Sequence, residues 1–90
     1  MDKNFFVYIL LTENNKLYCG YTNNVEKRYH LHKIGKGAKF TRANKPKSIL
    51  FVKKCSTKSE ALKLEYFIKQ LDRSKKLKYI YNHQFENTLS

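Results

Sequence analysis

The sequence predicts an α+β fold: a small, mainly antiparallel sheet of three strands flanked by helices, in the order ββαβα with a short final helix. Three observations carry that expectation. Phe5-Phe6-Val7-Tyr8-Ile9-Leu10-Leu11 is apolar on both alternating faces and rich in aromatic and branched residues, the pattern of a strand covered on both sides. Thr12-Glu13-Asn14-Asn15-Lys16 is turn chemistry, and Leu17 to Tyr21 resumes as a strand, which makes a hairpin. Ala61, Leu64, Ile68 and Leu71 then recur at helical spacing, a buried stripe along one long helix.

The length of the first turn decides which face each hairpin tyrosine takes. An odd loop such as Glu13-Asn14-Asn15 sets Leu10 opposite Tyr18 and makes Tyr8 its diagonal neighbour on the same face, roughly 7–8 Å away between Cα atoms. A two-residue turn on Asn14-Asn15 puts the tyrosines on opposite faces, because a one-residue slip inverts every side chain.

Thr22-Asn23-Asn24 offers an N-cap for a helix from Asn24 to about Ile34, with Val25 and Tyr29 on one stripe and Arg28 and His32 on an adjacent one. Gly35-Lys36-Gly37 ends it, glycine supplying the left-handed cap. Lys36, Lys39, Arg42, Lys45 and Lys47 stud a loop running to Pro46, and Ser48 to Lys54 reads as the third strand. Ser56-Thr57 or Ser59 caps the long helix, with Glu60 in its first turn. Asp72-Arg73-Ser74 breaks that helix, and a short one from Lys75 to about Tyr81 closes the fold. Residues 1–82 are expected to form a single domain, with 83–90 a polar, flexible tail.

Ninety residues hold one modest core. Nineteen Lys and Arg against seven Asp and Glu give a net charge of +12, a field that attracts polyanions, nucleic acid above all. The plainer origin of such a charge is a lysine-rich solvated surface. The apolar run near the N-terminus is too short for a membrane span or a signal segment, so a cytoplasmic protein without membrane contact is expected. Cys19 and Cys55 lie outside any C-x-x-C pattern and read as reduced core thiols. His30 and His32, two apart on a helix, point to different faces and do not chelate together.

Glu65 is the sharpest single anomaly. It stands between Ala61 and Ile68 on the apolar stripe instead of opposite it, and a buried carboxylate is costly unless paired or bound to a metal. A salt bridge to a basic neighbour, or a position on the rim, explains it equally well. Arg28 offers planar, multi-donor clamping of a phosphate, though most helical arginines are solvated. Tyr8, on an apolar strand, is by default an ordinary aromatic of the core.

In combination these residues resemble the GIY-YIG nuclease family, and more closely its short stand-alone bacterial branch. Val7-Tyr8-Ile9 stands for the first motif and Tyr18-Cys19-Gly20-Tyr21-Thr22 for the second. Asn24 through His32 is similar to the Arg-bearing helix, Gly35-Lys36-Gly37-Ala38-Lys39-Phe40-Thr41-Arg42 to the glycine-lysine loop, and Glu60 through Arg73 with Lys76 to the C-terminal helix. The resemblance covers residues 5 to about 80. It implies cleavage of a phosphodiester with one divalent cation, Mg²⁺ or Mn²⁺, held by Glu65. It also implies that Tyr8 or Tyr18 activates or orients water. Arg28 would stabilise the developing negative charge, and His32 would be an acid/base or a phosphate contact. Gly20, Lys36, Lys39, Arg42, Lys69, Arg73 and Lys76 would face the nucleic acid, DNA rather than RNA. Cations such as Arg28 and Lys39 are expected to lower the tyrosine pKa from its usual value near 10.

Val7 replaces the motif glycine, Cys19 the motif isoleucine, and Phe40 a residue that is often Tyr in the short branch. With no attached DNA-binding domain in these residues, substrate shape or a protein partner is expected to supply specificity. Repair is one context that the resemblance suggests. The competing readings are a nucleic-acid-binding module of the same fold with little turnover, and a structural or partner-binding domain.

Overall fold

The structure, a computed structural model, describes residues 4–89, with side chains for residues 4–83. Its order is β1 (Phe5–Thr12), β2 (Leu17–Thr22), α1 (Val25–Lys33), α2 (Lys39–Ala43), β3 (Pro46–Cys55), α3 (Lys58–Gln70) and α4 (Arg73–Leu89). The three strands pair antiparallel in the order β2-β1-β3, so the apolar β1 is central, as its two-sided pattern requires.

The odd turn forms. Leu10 pairs with Tyr18 and Tyr8 with Gly20, which sets both tyrosines on one face. Asn15 takes φ 65°, and Thr12 holds the turn together: its Oγ1 accepts from the Lys16 N–H at 2.8 Å and donates to Asn14 Oδ1 at 2.6 Å. Arg73 closes on the same turn from α4, donating to the Asn15 carbonyl at 2.7 Å and to its Oδ1 at 3.1 Å.

Alternation along the strands then makes two unlike faces. Val7, Ile9, Cys19, Phe51 and Cys55 meet Ala61 and Ile68 of α3 and Ile80 of α4 in an apolar core. Burying a residue such as Ile9 or Ile68 stabilises the fold by roughly 1.5–3 kcal/mol. Tyr8 and Tyr18 point the other way, toward α1 and α2. Both cysteines are buried free thiols.

The helix ends follow local chemistry. Asn24 caps α1 by accepting from the Lys27 N–H, Gly35 leaves it at φ 81°, and Thr57 caps α3 by accepting from the Glu60 N–H. Three boundaries differ from expectation. The loop to Pro46 contains α2, whose five residues are too few to show an apolar period. β3 is longer by two residues at its start and one at its end. α4 starts at Arg73, with Asp72 Oδ1 accepting from the Lys75 N–H, and continues to Leu89 through a stretch without Gly or Pro. It takes in most of the expected tail, whose side chains beyond His83 lie outside the described residues.

Candidate active site

A continuous chain of buried hydrogen bonds runs from β1 through α1 to α2. Tyr8 Oη lies 2.8 Å from His32 Nε2, His32 Nδ1 lies 2.6 Å from Thr41 Oγ1, and Thr41 Oγ1 donates to the Ala38 carbonyl at 3.2 Å. Exposure is 2% for Tyr8, 0% for His32 and 1% for Thr41. Each polar atom in this row has a partner, as buried polar atoms must.

Two glycines make that density possible. A Cβ on Gly20 would stand 2.6 Å from Tyr8 Oη, so the second-motif glycine is the floor on which the Tyr8 ring lies. A Cβ on Gly37 would collide with His32 Nδ1, so the loop after α1 is pressed against the imidazole. Tyr18 lies beside Tyr8, ring centroids 6.4 Å apart, and within 5.1 Å of the His32 ring. Phe40 stacks on Tyr18 at 5.8 Å and is partly open to solvent.

Burial pushes the Tyr8 phenol up to about 12, although the Arg28 guanidinium acts against it as a donor and a positive charge. The expected lowering by cations is therefore overturned at Tyr8: removal from water outweighs one nearby arginine. Burial, reinforced by the Arg28 charge, pulls His32 down to about 4. Near neutral pH both groups are uncharged, and the pair is a phenol against a neutral imidazole.

Arg28 lines a hollow with Thr22, Asn23, Asn24, Lys27 and Leu31, and its Nε is buried without a hydrogen-bond partner. A donor kept dry and unused is one that an anionic oxygen would satisfy. Tyr8, Tyr18, Arg28 and His32 are thus brought together. His32 is enclosed, both its ring nitrogens being engaged by Tyr8 and Thr41.

Glu65 does not join that cluster. Its α3 packs on the Cys19 side of the sheet, where its charge helps to raise the Cys19 thiol pKa, and its carboxylate pairs with Lys69 at 3.3 Å. Its side chain is 16% exposed. Glu65 is thus a partly buried carboxylate with a basic partner one turn along its own helix. Lys36, Lys39 and Arg42 are exposed and line a shallow hollow beside Gly35 and Gly37. Lys69 is occupied by Glu65 and Arg73 by the hairpin turn, while Lys76 is half-buried and acts on Cys19. Thr41 and Gly37 are the participants that sequence reasoning missed. The one signal for them was their place in the Gly35–Arg42 block.

A family model for the GIY-YIG catalytic domain matches residues 4–79. A UPF0213 protein of Oceanobacillus iheyensis is 54% identical over 80 residues, covering 89% of this chain and 93% of the relative. UPF0213 protein YazA of Bacillus subtilis is 44% identical over 77 residues, covering 86% and 78%. The solution NMR structure of a UPF0213 protein from Bacillus halodurans is similar at a TM-score of 0.58 and 38% identity, covering 87% of this chain and 83% of that one.

Proposed function

Because this chain belongs to the GIY-YIG catalytic domain family, whose members are generally endonucleases, we propose that it is a metal-dependent nuclease that hydrolyses phosphodiester bonds in nucleic acid, DNA rather than RNA. The observation that carries this reading is the buried bond between Tyr8 and His32. A phenol that can pass its own proton to a neutral base can take one from water without ever becoming a free phenolate.

The residues divide the work as follows. Tyr8 donates its proton to His32 Nε2 while its oxygen accepts one from the attacking water. Its 2% exposure suits one ordered water rather than bulk solvent. The water oxygen bonds to phosphorus and the bond to the leaving nucleotide oxygen breaks; that oxygen takes a proton from solvent water, and the imidazolium gives its proton back to Tyr8 as Tyr8 releases the one it took to solvent. Arg28 supplies its unused Nε and its charge to the phosphoryl oxygens as negative charge develops. Tyr18 walls the site and orients the phosphate. Lys36, Lys39 and Arg42 draw in the backbone through charge, so affinity should fall steeply with salt. Gly20 serves by leaving room for Tyr8.

Among the described residues no three of His, Cys, Asp and Glu converge to cage a metal. A hard cation such as Mg²⁺ usually keeps several waters and takes one or two carboxylates plus substrate phosphate oxygens, so a single carboxylate fits one ion completed by substrate. Glu65 would hold it only on releasing Lys69 and reaching round edge strand β2 from the Cys19 side, so in this proposal the ion meets the phosphate at that edge, across from Tyr8 and Arg28. When bound, the ion would polarise the phosphate and stabilise the leaving oxygen. No described helix is long and apolar enough to cross a membrane, and the proposed setting is the cytoplasm.

The test is cleavage of labelled single-stranded, duplex and branched DNA, and of RNA, with Mg²⁺ or Mn²⁺, by the wild type, Tyr8→Phe and Glu65→Ala. Loss of cleavage in both variants is expected. Equal cleavage by all three chains would sink the proposal. Salt-sensitive binding with no cleavage would favour a binding module of the same fold.

A further inference from the structure

We propose that Thr41, with Gly37 pressed behind the ring, is a positioning residue that holds His32 as the tautomer protonated on Nδ1, and so keeps Nε2 free to take the proton of Tyr8. The inference rests on the reading of Tyr8 and His32 as a proton-handling pair, but its primary readout needs no turnover.

A neutral imidazole donates from one nitrogen and accepts at the other, and which is which is set by its partners. At the Thr41 end, the hydroxyl donates to the Ala38 carbonyl at 3.2 Å. That leaves the Thr41 oxygen to accept from Nδ1–H across 2.6 Å. At the Tyr8 end, the phenol is buried, and Arg28, which acts on it, offers only donors. Among the described residues His32 Nε2 is the one acceptor in hydrogen-bond contact with Tyr8 Oη, at 2.8 Å. The opposite tautomer would turn Nε2–H toward the phenol and leave the phenol proton without an acceptor among the described residues, aimed at the very water that Tyr8 has to deprotonate. Both ends of the row thus demand the same direction: Tyr8 to Nε2, and Nδ1 to Thr41 to Ala38.

Gly37 makes the arrangement close. A methyl group there would collide with Nδ1 and sit 2.7 Å from Cγ, so the segment from Gly37 to Thr41 clasps the imidazole edge and prevents it from turning over. This gives α2 a purpose that its five residues would otherwise lack: its third residue is the threonine that meets Nδ1.

The experiment is long-range ¹⁵N–¹H NMR of the imidazole nitrogens in the wild type, Thr41→Ser and Thr41→Val, with cleavage rates alongside. His32 is expected to carry its proton on Nδ1 in the wild type and in Thr41→Ser. Thr41→Val removes one of the two ends, so the Nδ1 population should fall below that of the wild type, and its cleavage rate should fall roughly 10–100-fold, as when the partner that orients a metal-bound histidine is removed. A proton on Nε2 in the wild type overturns the proposal, and so does a Thr41→Val chain that keeps both the Nδ1 tautomer and the full rate. Should the Val variant not fold, Thr41→Ser decides: it must retain the tautomer and the rate, and failure on either overturns the proposal. A wild type inactive on every nucleic acid would sink the nuclease reading and leave the tautomer assignment intact.

Discussion

On the α3 side of the sheet, Val7, Ile9 and Cys19 meet Ala61, Ile68 and Ile80 by excluding water, and no hydrogen bond has to point anywhere. On the α1 side, the alternate residues Tyr8 and Tyr18 meet His32 and Thr41, and a row of hydrogen bonds joins a phenol, an imidazole and a hydroxyl atom by atom. The strands are the same and both faces are buried. The difference is that dispersion depends on volume, whereas a hydrogen-bonded row depends on single atoms. The apolar face should therefore tolerate a lost methyl group at a cost in stability, and the polar face should lose function with a change of one oxygen.

The largest test of that contrast pairs Tyr8→Phe with Ile9→Val. Removing the Tyr8 hydroxyl should lower cleavage by roughly 10²–10⁴-fold, the range of general-base catalysis, while lowering stability by about 1 kcal/mol. Ile9→Val should lower stability by roughly 0.5–1.5 kcal/mol and leave the rate unchanged. Cleavage kinetics and urea unfolding measure both. A fall in rate for Ile9→Val as large as that for Tyr8→Phe would break the comparison.

Next in size is a pH effect confined to the polar face. His32 is neutral in the folded protein down to about 4, against 6.5 for an unburied imidazole. Above pH 6.5 it is neutral in both states and its contribution is complete. As pH falls toward 4, the unfolded chain takes up a proton that the folded chain refuses, so stability declines, by roughly 3 kcal/mol in all. Urea unfolding from pH 7 to 4 should show this decline beyond that of His32→Gln, which lacks this one imidazole and keeps every other titrating group. Equal slopes in the two chains would refute it. The same protonation removes the acceptor for Tyr8, so cleavage should fail on the acid side, near 4.

A smaller effect is expected from Gly20→Ala. Its Cβ would meet Tyr8 Oη at 2.6 Å and Cζ at 2.9 Å, and the phenol is already held by His32. We expect a loss of about 1–3 kcal/mol, as for other overpacked sites, together with a fall in cleavage. The smallest effect is expected from Arg73→Ala, which removes two exposed hydrogen bonds to the hairpin turn and should cost about 0.5–1 kcal/mol. Faster hydrogen exchange at the β1–β2 pairing would show that the register common to both faces is held from α4.

The contrast also explains what could be read from the chain beforehand. The apolar face was legible because volume and period are properties of neighbours in sequence: Ala61 and Ile68 declare their helix, and Phe5 to Leu11 their strand. The co-facial tyrosines were legible as a condition on the turn, since pairing parity follows from loop length. Glu65 stood out on its stripe, but its pairing with Lys69 on the same helix, away from Tyr8, depends on how α3 crosses the sheet. Thr41 and Gly37 were not legible. Their importance is a contact with a ring nine and five positions earlier, through a loop and a helix of one turn, and no period or composition encodes such an approach. The Tyr8 pKa was expected to fall and rises instead, because depth of burial is not visible in a list of nearby cations.

Among the described residues β3 lies at an edge of the sheet, with a strand on one side of it only. It begins at Pro46 and carries exposed Lys47, Lys53 and Lys54. Proline at the start of a strand and lysine along an open edge both discourage a second chain from adding on. Part of the +12 charge thus has a cause apart from any substrate: it makes copies of the molecule repel one another where their strands would otherwise join. Screening by salt weakens that repulsion. The salt that should loosen a bound polyanion should also be the salt at which the protein begins to self-associate.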